Sequence, residues 1–196
     1  ARIDYTDGGC GALLLEPQAT NLFTYSEDFT QWIIVRSSVL LNQVISPNGT
    51  LNASKLIEDN SNNTHALLKS VTTSLLTYTY SCFVKANGRS GINLYINGTT
   101  NTSFDLITKN KVDSIGVISS EIKEYGNGWF RCSMTYLSII NGNTNLIIYL
   151  EDTLNDISYQ GDGISGVYIY GAQLEQGSTA TSYIPTQGTT VTRLAD

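Results

Sequence analysis

The sequence predicts an all-β protein, an antiparallel β-sandwich of the jelly-roll kind. Three observations carry that prediction. Apolar side chains recur at every second position through most of the chain, which buries one side of each segment and leaves the other to solvent. Asn-Gly and other glycine-rich turns interrupt these segments at short intervals. No stretch holds an apolar stripe at helical spacing. About ten short strands in a chain of 196 residues call for two sheets packed face to face.

Taken in order, residues 1–20 read as an N-terminal lead-in segment and residues 21–196 as a single sandwich domain with no internal repeat or linker. Ser26 is the expected N-cap of a short turn before Glu27 and Asp28, with Phe29 and Trp32 closing one end of the sandwich. Weaker strands are expected over 39–45, 54–58, 66–72, 103–108 and 112–119. The stronger ones are unambiguous in their alternation. "YTYSCFVKA" turns Tyr78, Tyr80, Cys82 and Val84 inward and Phe83 and Lys85 outward. "INLYIN" sets Ile92, Leu94 and Ile96 against Asn93, Tyr95 and Asn97. "WFRCSMTYL" sets Phe130, Cys132, Met134 and Tyr136 against Trp129 and Arg131, and "NLIIYLED" sets Leu146, Ile148 and Leu150 against Tyr149 and Glu151. In the last strand, "GVYIYGAQLE", alternation turns Tyr168, Tyr170, Ala172 and Leu174 inward and Gln173 and Glu175 outward. Turns fall at Asn48-Gly49, Asn87-Gly88, Asn97-Gly98, Asn127-Gly128, Asn141-Gly142 and Asp162-Gly163, and Pro185 ends pairing at the domain edge.

Composition narrows the function classes. Charged residues are 14% of the chain, against about 25% in an average soluble domain, and the net charge is −6. Nucleic acid and anionic membrane surfaces both need a basic patch, so neither is an expected partner. No apolar run approaches the roughly 20 residues of a membrane-spanning helix, and no membrane insertion is expected. The cysteines are Cys10, Cys82 and Cys132; the latter two fall on apolar strand faces and read as buried thiols, with a structural disulfide as the alternative. The single histidine, His65, is expected at the surface, at the head of a strand, and no histidine-based triad or metal site is visible. Five Asn-x-Ser/Thr triplets are what chance supplies in a chain this rich in Asn and Thr.

Four stretches together, "LLLEPQATNLFTYSEDFTQW", "YSCFVKA", "GNGWFRCS" and "GVYIYGAQLEQGSTATSYIPT", resemble a domain of bacteriophage head-spike and tail-fibre proteins, and the closing "TVTRLAD" fits the same pattern. The opening stretch followed by "YSCFVKA" also looks like the jelly-roll carbohydrate-binding modules joined to polysaccharide-degrading enzymes. The resemblance implies a concanavalin-like or carbohydrate-binding-module-like sandwich on a virion surface or an extracellular protein, beside other virion or host-chain domains. It implies a glycan-binding role and no catalytic residues. Similar sequences often have tryptophan where Tyr170 stands. It also implies a structural calcium ion near Glu27 and Asp28, with Asp152, Asp156 and Asp162 as other loop carboxylates.

If the outward positions share a sheet, they form one face of Phe83, Lys85, Asn93, Tyr95, Asn97, Trp129, Arg131, Tyr149, Glu151, Gln173 and Glu175. A sugar stacks its C–H face on a ring while amides, carboxylates and guanidinium pair with its hydroxyls. The candidate ligand-binding residues are therefore Tyr95, Arg131, Tyr149, Gln173 and Glu175, with Asn93 and Trp129, and the ligand is a polysaccharide or cell-surface glycan. Trp129, directly after a Gly-Asn-Gly turn, could instead plug the sandwich end. Two alternatives stay open. The aromatic face could pack between subunits, as in a structural virion domain or homotrimer. Glu151 and Glu175 could form the carboxylate pair of a small polysaccharide-degrading enzyme, which for a retaining glycosidase needs a separation of roughly 5 Å.

Overall fold

The structure, a computed structural model, describes residues 2–4, 12–96 and 100–196, with residues 2–4 and 12–14 described by their backbone alone. Cys10 and Asn97 lie outside the described residues. The strands in chain order are β1 (Arg2–Asp4), β2 (Ala12–Leu14), β3 (Ala19–Asn21), β4 (Ile33–Val35), β5 (Ser37–Ile45), β6 (Leu51–Glu58), β7 (Asn62–Thr64), β8 (Ala66–Thr73), β9 (Thr77–Asn87), β10 (Gly91–Ile96), β11 (Thr100–Asp105), β12 (Lys111–Asp113), β13 (Val117–Glu124), β14 (Phe130–Leu137), β15 (Gly142–Glu151), β16 (Ser158–Gln160), β17 (Gly166–Gln176) and β18 (Val191–Arg193). β3 spans the expected boundary between residues 20 and 21.

Two six-stranded antiparallel sheets form the sandwich. The first runs β12-β11-β10-β15-β8-β4, and the second runs β13-β14-β9-β17-β6-β5. The core between them is the one alternation picks out: Tyr80, Cys82, Val84, Ile92, Leu94, Met134, Leu146, Ile148 and Leu150 are all fully buried in one cluster. Phe29 and Trp32 close one end as expected, their rings 5.4 Å apart, and Trp32 Nε1 donates to Tyr25 O at 2.8 Å. Cys82 and Cys132 are free, buried and directly opposite each other on β9 and β14. Burial raises the Cys82 thiol to about 12, as befits an inert apolar side chain.

Several local expectations are corrected. The cap of the short 3-10 helix Phe29–Gln31 is Asp28, whose Oδ1 accepts from Thr30 N at 3.1 Å. Ser26 is instead buried against Tyr183 OH at 2.6 Å. The strand expected over 103–108 lies earlier, because Asp105 Oδ1 accepts from Ile107 N and turns the chain there. The stretch 112–119 divides into β12 and β13 around Gly116, whose φ is +98°. His65 is fully buried rather than at the surface: Nδ1 lies 2.8 Å from Arg36 O, and its ring packs 5.0 Å from that of Tyr159.

The largest correction concerns β17. Val167 and Ile169 face the core, and Tyr168 and Tyr170 face outward, opposite to expectation; Ala172 and Leu174 face inward as expected. The pairing with β9 jumps from Tyr170↔Phe83 to Gln173↔Ser81, so Gly171 and Ala172 together oppose Cys82. This is a β-bulge with glycine in the left-handed region, φ +59°, and it reverses the parity of everything after it. A Cβ on Gly171 would also stand 3.1 Å from the Phe83 and Tyr183 rings.

Candidate functional site

The ten outward positions that fall among the described residues do not share a face. Phe83, Lys85, Trp129, Arg131, Gln173 and Glu175 lie on the outside of the second sheet, whereas Asn93, Tyr95, Tyr149 and Glu151 lie on the outside of the first. The chain crosses from one sheet to the other between β9 and β10, so these two strands have outer faces on opposite sides of the molecule. Glu151 and Glu175 are therefore on different sheets, with the core between them, and cannot act on one glycosidic bond.

The outside of the second sheet is covered by the protein's own C-terminal segment. Rows run Arg131–Phe83–Tyr170, Ser133–Ser81–Gln173 and Thr135–Thr79–Glu175 across β14, β9 and β17. Residues 178–187 lie over them. Arg131 is nearly fully buried, donating to Thr181 O at 2.6 Å and Ser81 Oγ at 3.0 Å, with its guanidinium over the Phe83 ring. Glu175 accepts from Thr181 N at 2.9 Å, Thr181 Oγ1 at 2.6 Å and Gln173 Nε2 at 2.6 Å. Gln173 Oε1 accepts from Ile184 N at 2.8 Å. Trp129 is buried beside Phe83 and Tyr170 and donates to Ile45 O at 3.0 Å. These four predicted ligand-binding residues are brought together, but their polar groups are largely spent on holding the covering segment in place.

Glu27 belongs to the same side. Its Oε1 accepts from Tyr170 OH at 3.0 Å and Tyr183 OH at 3.1 Å, and its Oε2 from Asn52 Nδ2 at 3.2 Å. Among the described residues, no group of three or more His, Cys, Asp or Glu side chains is arranged to hold a metal ion. A calcium ion near Glu27 and Asp28 would need most of its oxygens from backbone carbonyls and water.

The outside of the first sheet is different. Reading across the strands, one row is Asp105–Gly91–Glu151, the next is Val112–Ser103–Asn93–Tyr149–Ala66–Val35, and the next is Asn101–Tyr95–Ile147–Leu68–Ile33. Asn145 with Ser70, and Asn143 with Thr72, continue it. From Glu151 to Asn143 the face extends roughly 27 Å at about 3.4 Å per residue. Tyr95 and Tyr149 are half-buried at its centre, their rings edge to face with centroids 5.6 Å apart.

Beside the rings lies a buried polar cluster. Ser103 Oγ donates to Glu151 Oε1 at 2.5 Å, and Asn93 Nδ2 lies 2.7 Å from Ser103 Oγ, 3.2 Å from Asn101 Oδ1 and 3.2 Å from Glu151 Oε1. Gly91 is required here, because a Cβ would come 2.7 Å from Glu151 Cβ. The loop after β15 lies against the cluster, with Asn155 Oδ1 3.4 Å from Ser103 Oγ and the Asn155 backbone bonding the Glu151 carboxyl, and Asn93 Oδ1 is buried without a partner. Burial raises the Glu151 carboxyl to about 7, against the opposing bonds from Ser103 and Asn93. Burial likewise raises the Tyr149 phenol, with the neighbouring Tyr95 adding to it. Sequence reasoning found Asn93, Tyr95 and Tyr149 but missed Ser103 and Asn101. The signal is the alternation Asn101, Ser103, Asp105 on β11, which starts before the weak strand expected over 103–108.

No protein-family profile and no curated protein sequence matches this chain. Among solved structures, the chain is similar to TmCBM61, solved in complex with β-1,4-galactotriose, with a TM-score of 0.49, 12% identity, and coverage of 80% of this chain and 99% of that one. It is also similar to a Bacteroides thetaiotaomicron protein described as sugar-binding, with a TM-score of 0.44, 12% identity, and coverage of 80% and 95%. A third is the CBM22-1-GH10 portion of a Clostridium thermocellum endo-1,4-β-D-xylanase complexed with xylohexaose, with a TM-score of 0.44 and 15% identity; 83% of this chain matches 28% of that one. These are loose likenesses of overall shape, and none of them locates a ligand on this chain.

Proposed function

We propose that this protein is a non-catalytic glycan-binding domain and that it binds through the outer face of the first sheet. The observation that carries this reading is the half-buried Tyr95–Tyr149 ring pair at the centre of the outer face of the first sheet. Two rings at right angles offer apolar surface to the C–H side of a pyranose, and the amides of Asn143 and Asn145 farther along the face pair with its hydroxyls. The length of the face suits several units of a linear chain. The motif resemblance supports the setting, a module on a phage fibre or spike or on a similar extracellular protein. There, weak single sites act together when many copies are presented on one assembly.

Affinity electrophoresis against immobilised polysaccharides tests this directly. Tyr95→Ala and Tyr149→Ala, each with unchanged circular dichroism, should weaken retardation at least about tenfold, the effect of losing a central aromatic contact. Undiminished retardation in both variants removes the proposal.

One observation favours a second reading, packing between subunits. Ile33 and Ile34 on β4 and Leu40, Leu41 and Ile45 on β5 are all exposed, and β4 and β5 are the edge strands on one side of the sandwich. A homotrimer would bury this edge rather than the aromatic face. Light scattering separates the two: a monomer at high concentration that still binds glycan leaves the edge without a partner copy.

A further inference from the structure

We infer that the protein carries a second binding site, on the outer side of the second sheet, and that it takes a hexuronic acid residue of a glycan, with Lys85 selecting the carboxylate. The site is a cavity of about 370 Å³, at the lower end of the roughly 300–1,000 Å³ of small-molecule pockets. Its walls are two turns, residues 44–49 and 125–129, and Lys85 of β9 lines it with them. None of residues 178–187, which cover the rest of this sheet, is among its lining.

Both walls are formed without a ligand. In the first, Ser46 N donates to Thr50 O at 2.9 Å and Gly49 N to Ser46 O at 3.0 Å. In the second, Tyr125 N donates to Trp129 O at 2.8 Å and Trp129 N to Gly126 O at 2.9 Å. The Trp129 indole ties the two turns together through Ile45 O at 3.0 Å, and the Tyr125 ring stands edge to face on Phe83 with centroids 5.0 Å apart. A site held in this way loses little freedom when it binds.

Its chemistry is open to solvent. Tyr125 is 43% exposed and Ile45 58%, which offers ring and aliphatic surface to the C–H side of a pyranose. Asn127 is exposed and supplies an amide for its hydroxyls. Lys85 is half-buried, its stem passing Gly128 so closely that a Cβ there would stand 3.4 Å from Cε. Among the described residues its ammonium has neither a hydrogen-bond nor an ion-pair partner, and it is not closed off from water.

No acidic side chain lines the cavity. Of the cations around it, Arg131 is held by Thr181 O and Ser81 Oγ, Lys55 donates to Ile164 O at 3.0 Å, and Arg36 donates to Thr64 Oγ1 at 3.3 Å. Lys123 adds positive charge over the Tyr125 ring, its Nζ 6.0 Å from the centroid. Of the carboxylates, Glu124 pairs with Lys109, Glu175 accepts from Thr181, and Glu27 accepts from Tyr170, Tyr183 and Asn52. Glu121 is exposed farther along β13, with Lys123 between it and Tyr125. One free ammonium balances one negative charge, that of a carboxylate, whereas a phosphate monoester carries about 1.5–2. A neutral sugar meets the same ring and amide but leaves the ammonium unpaired.

The test is an NMR titration of the whole chain, read at the backbone amides. The ligands are trimers of α-1,4-galacturonate and β-1,4-glucuronate, each with its carboxyl-reduced neutral twin, and acetate and benzoate, all at one ionic strength. At least one uronate trimer should shift residues 85 and 126–129 and bind about fivefold or more tighter than its twin. Lys85→Met, which keeps the stem and removes the charge, should bring the uronate to the level of the twin, and Lys85→Arg should restore most of the difference. Lys55→Met removes a charge from the same cross-strand row and should leave the difference unchanged, which separates the site from net charge.

Equal binding of the twins overturns the inference, and so do equal shifts by acetate or benzoate at the same concentration. A preference that survives Lys85→Met, or falls as far with Lys55→Met, overturns the assignment to Lys85. Shifts confined to residues 95 and 149 remove this site and leave the tyrosine face of the first sheet standing. Shifts at 85 and 126–129 that depend on Lys85 support this site whatever the first face is found to bind.

Discussion

The outer faces of the two sheets are built from the same materials and end in opposite states. Both carry aromatic rings interleaved with amides and single carboxylates. On the second sheet, Arg131, Gln173 and Glu175 are held by Thr181 and Ile184 of the returning chain. On the first, Asn93, Ser103 and Glu151 are buried beside Asn155, and Tyr95 and Tyr149 are only half-buried. A polar-aromatic strand face is thus a structural network where the chain folds back over it, and a candidate site where it does not. Buried polar groups demand partners, and the partner is either the protein's own backbone or something that arrives from outside.

That contrast is easiest to break at Glu175. Glu175→Ala should lower stability by about 3 kcal/mol, because it strands the Thr181 amide and the Gln173 side chain in a buried network. Urea denaturation measures the loss, and glycan retardation by the folded fraction should be unchanged. A loss below about 1 kcal/mol would mean that the covering segment does not depend on this network.

Glu151 gives the next largest effect, and its sign is opposite to that of an ordinary salt-bridged carboxylate. Its carboxyl titrates near 7 in the fold, above the ordinary value of 4.5, so the folded state binds the extra proton between those values. Its contribution therefore falls as pH rises from about 4.5 to 7, by an amount of order 2–3 kcal/mol at about 1.4 kcal/mol per pKa unit. Glu151→Gln removes this dependence. The difference in unfolding free energy, variant minus parent, should grow in the variant's favour from pH 5 to pH 8; a constant difference would show that Glu151 ionises as freely in the fold as outside it. The smallest effect belongs to the open face away from the rings. Thr72→Ala, which removes only an exposed hydroxyl 3.2 Å from Asn143 Oδ1, should change stability by less than about 0.5 kcal/mol.

Much of the core was legible from alternation. The inward positions of β9, β10, β14 and β15 are those their sequences mark, because neighbouring side chains on an extended backbone must point to opposite sides. β17 shows where that rule stops. "GVYIYGAQLE" alternates without a break, and only pairing with β9 reveals that Gly171 takes a left-handed conformation and turns Tyr168 and Tyr170 outward. His65 was placed at the surface because it is polar and heads a strand. Its burial comes from Tyr159, nearly a hundred residues away, and from the Arg36 carbonyl.

The candidate site divides along the same line. By itself, the sequence determined that Asn93 and Tyr95 share one side of a strand, that Tyr149 and Glu151 share one side of another, and that these sides are rich in acceptors and poor in cations. Period-two geometry is local, and a few residues are enough to express it. Tertiary structure alone decided that β10 lies beside β15 and not β9, that Ser103 and Asn155 complete the cluster, and that residues 178–187 cover the second sheet while Tyr95 and Tyr149 on the first stay half-buried. Those outcomes rest on contacts between residues far apart in the chain, whose energies depend on the whole packing and leave no mark on any short stretch of it.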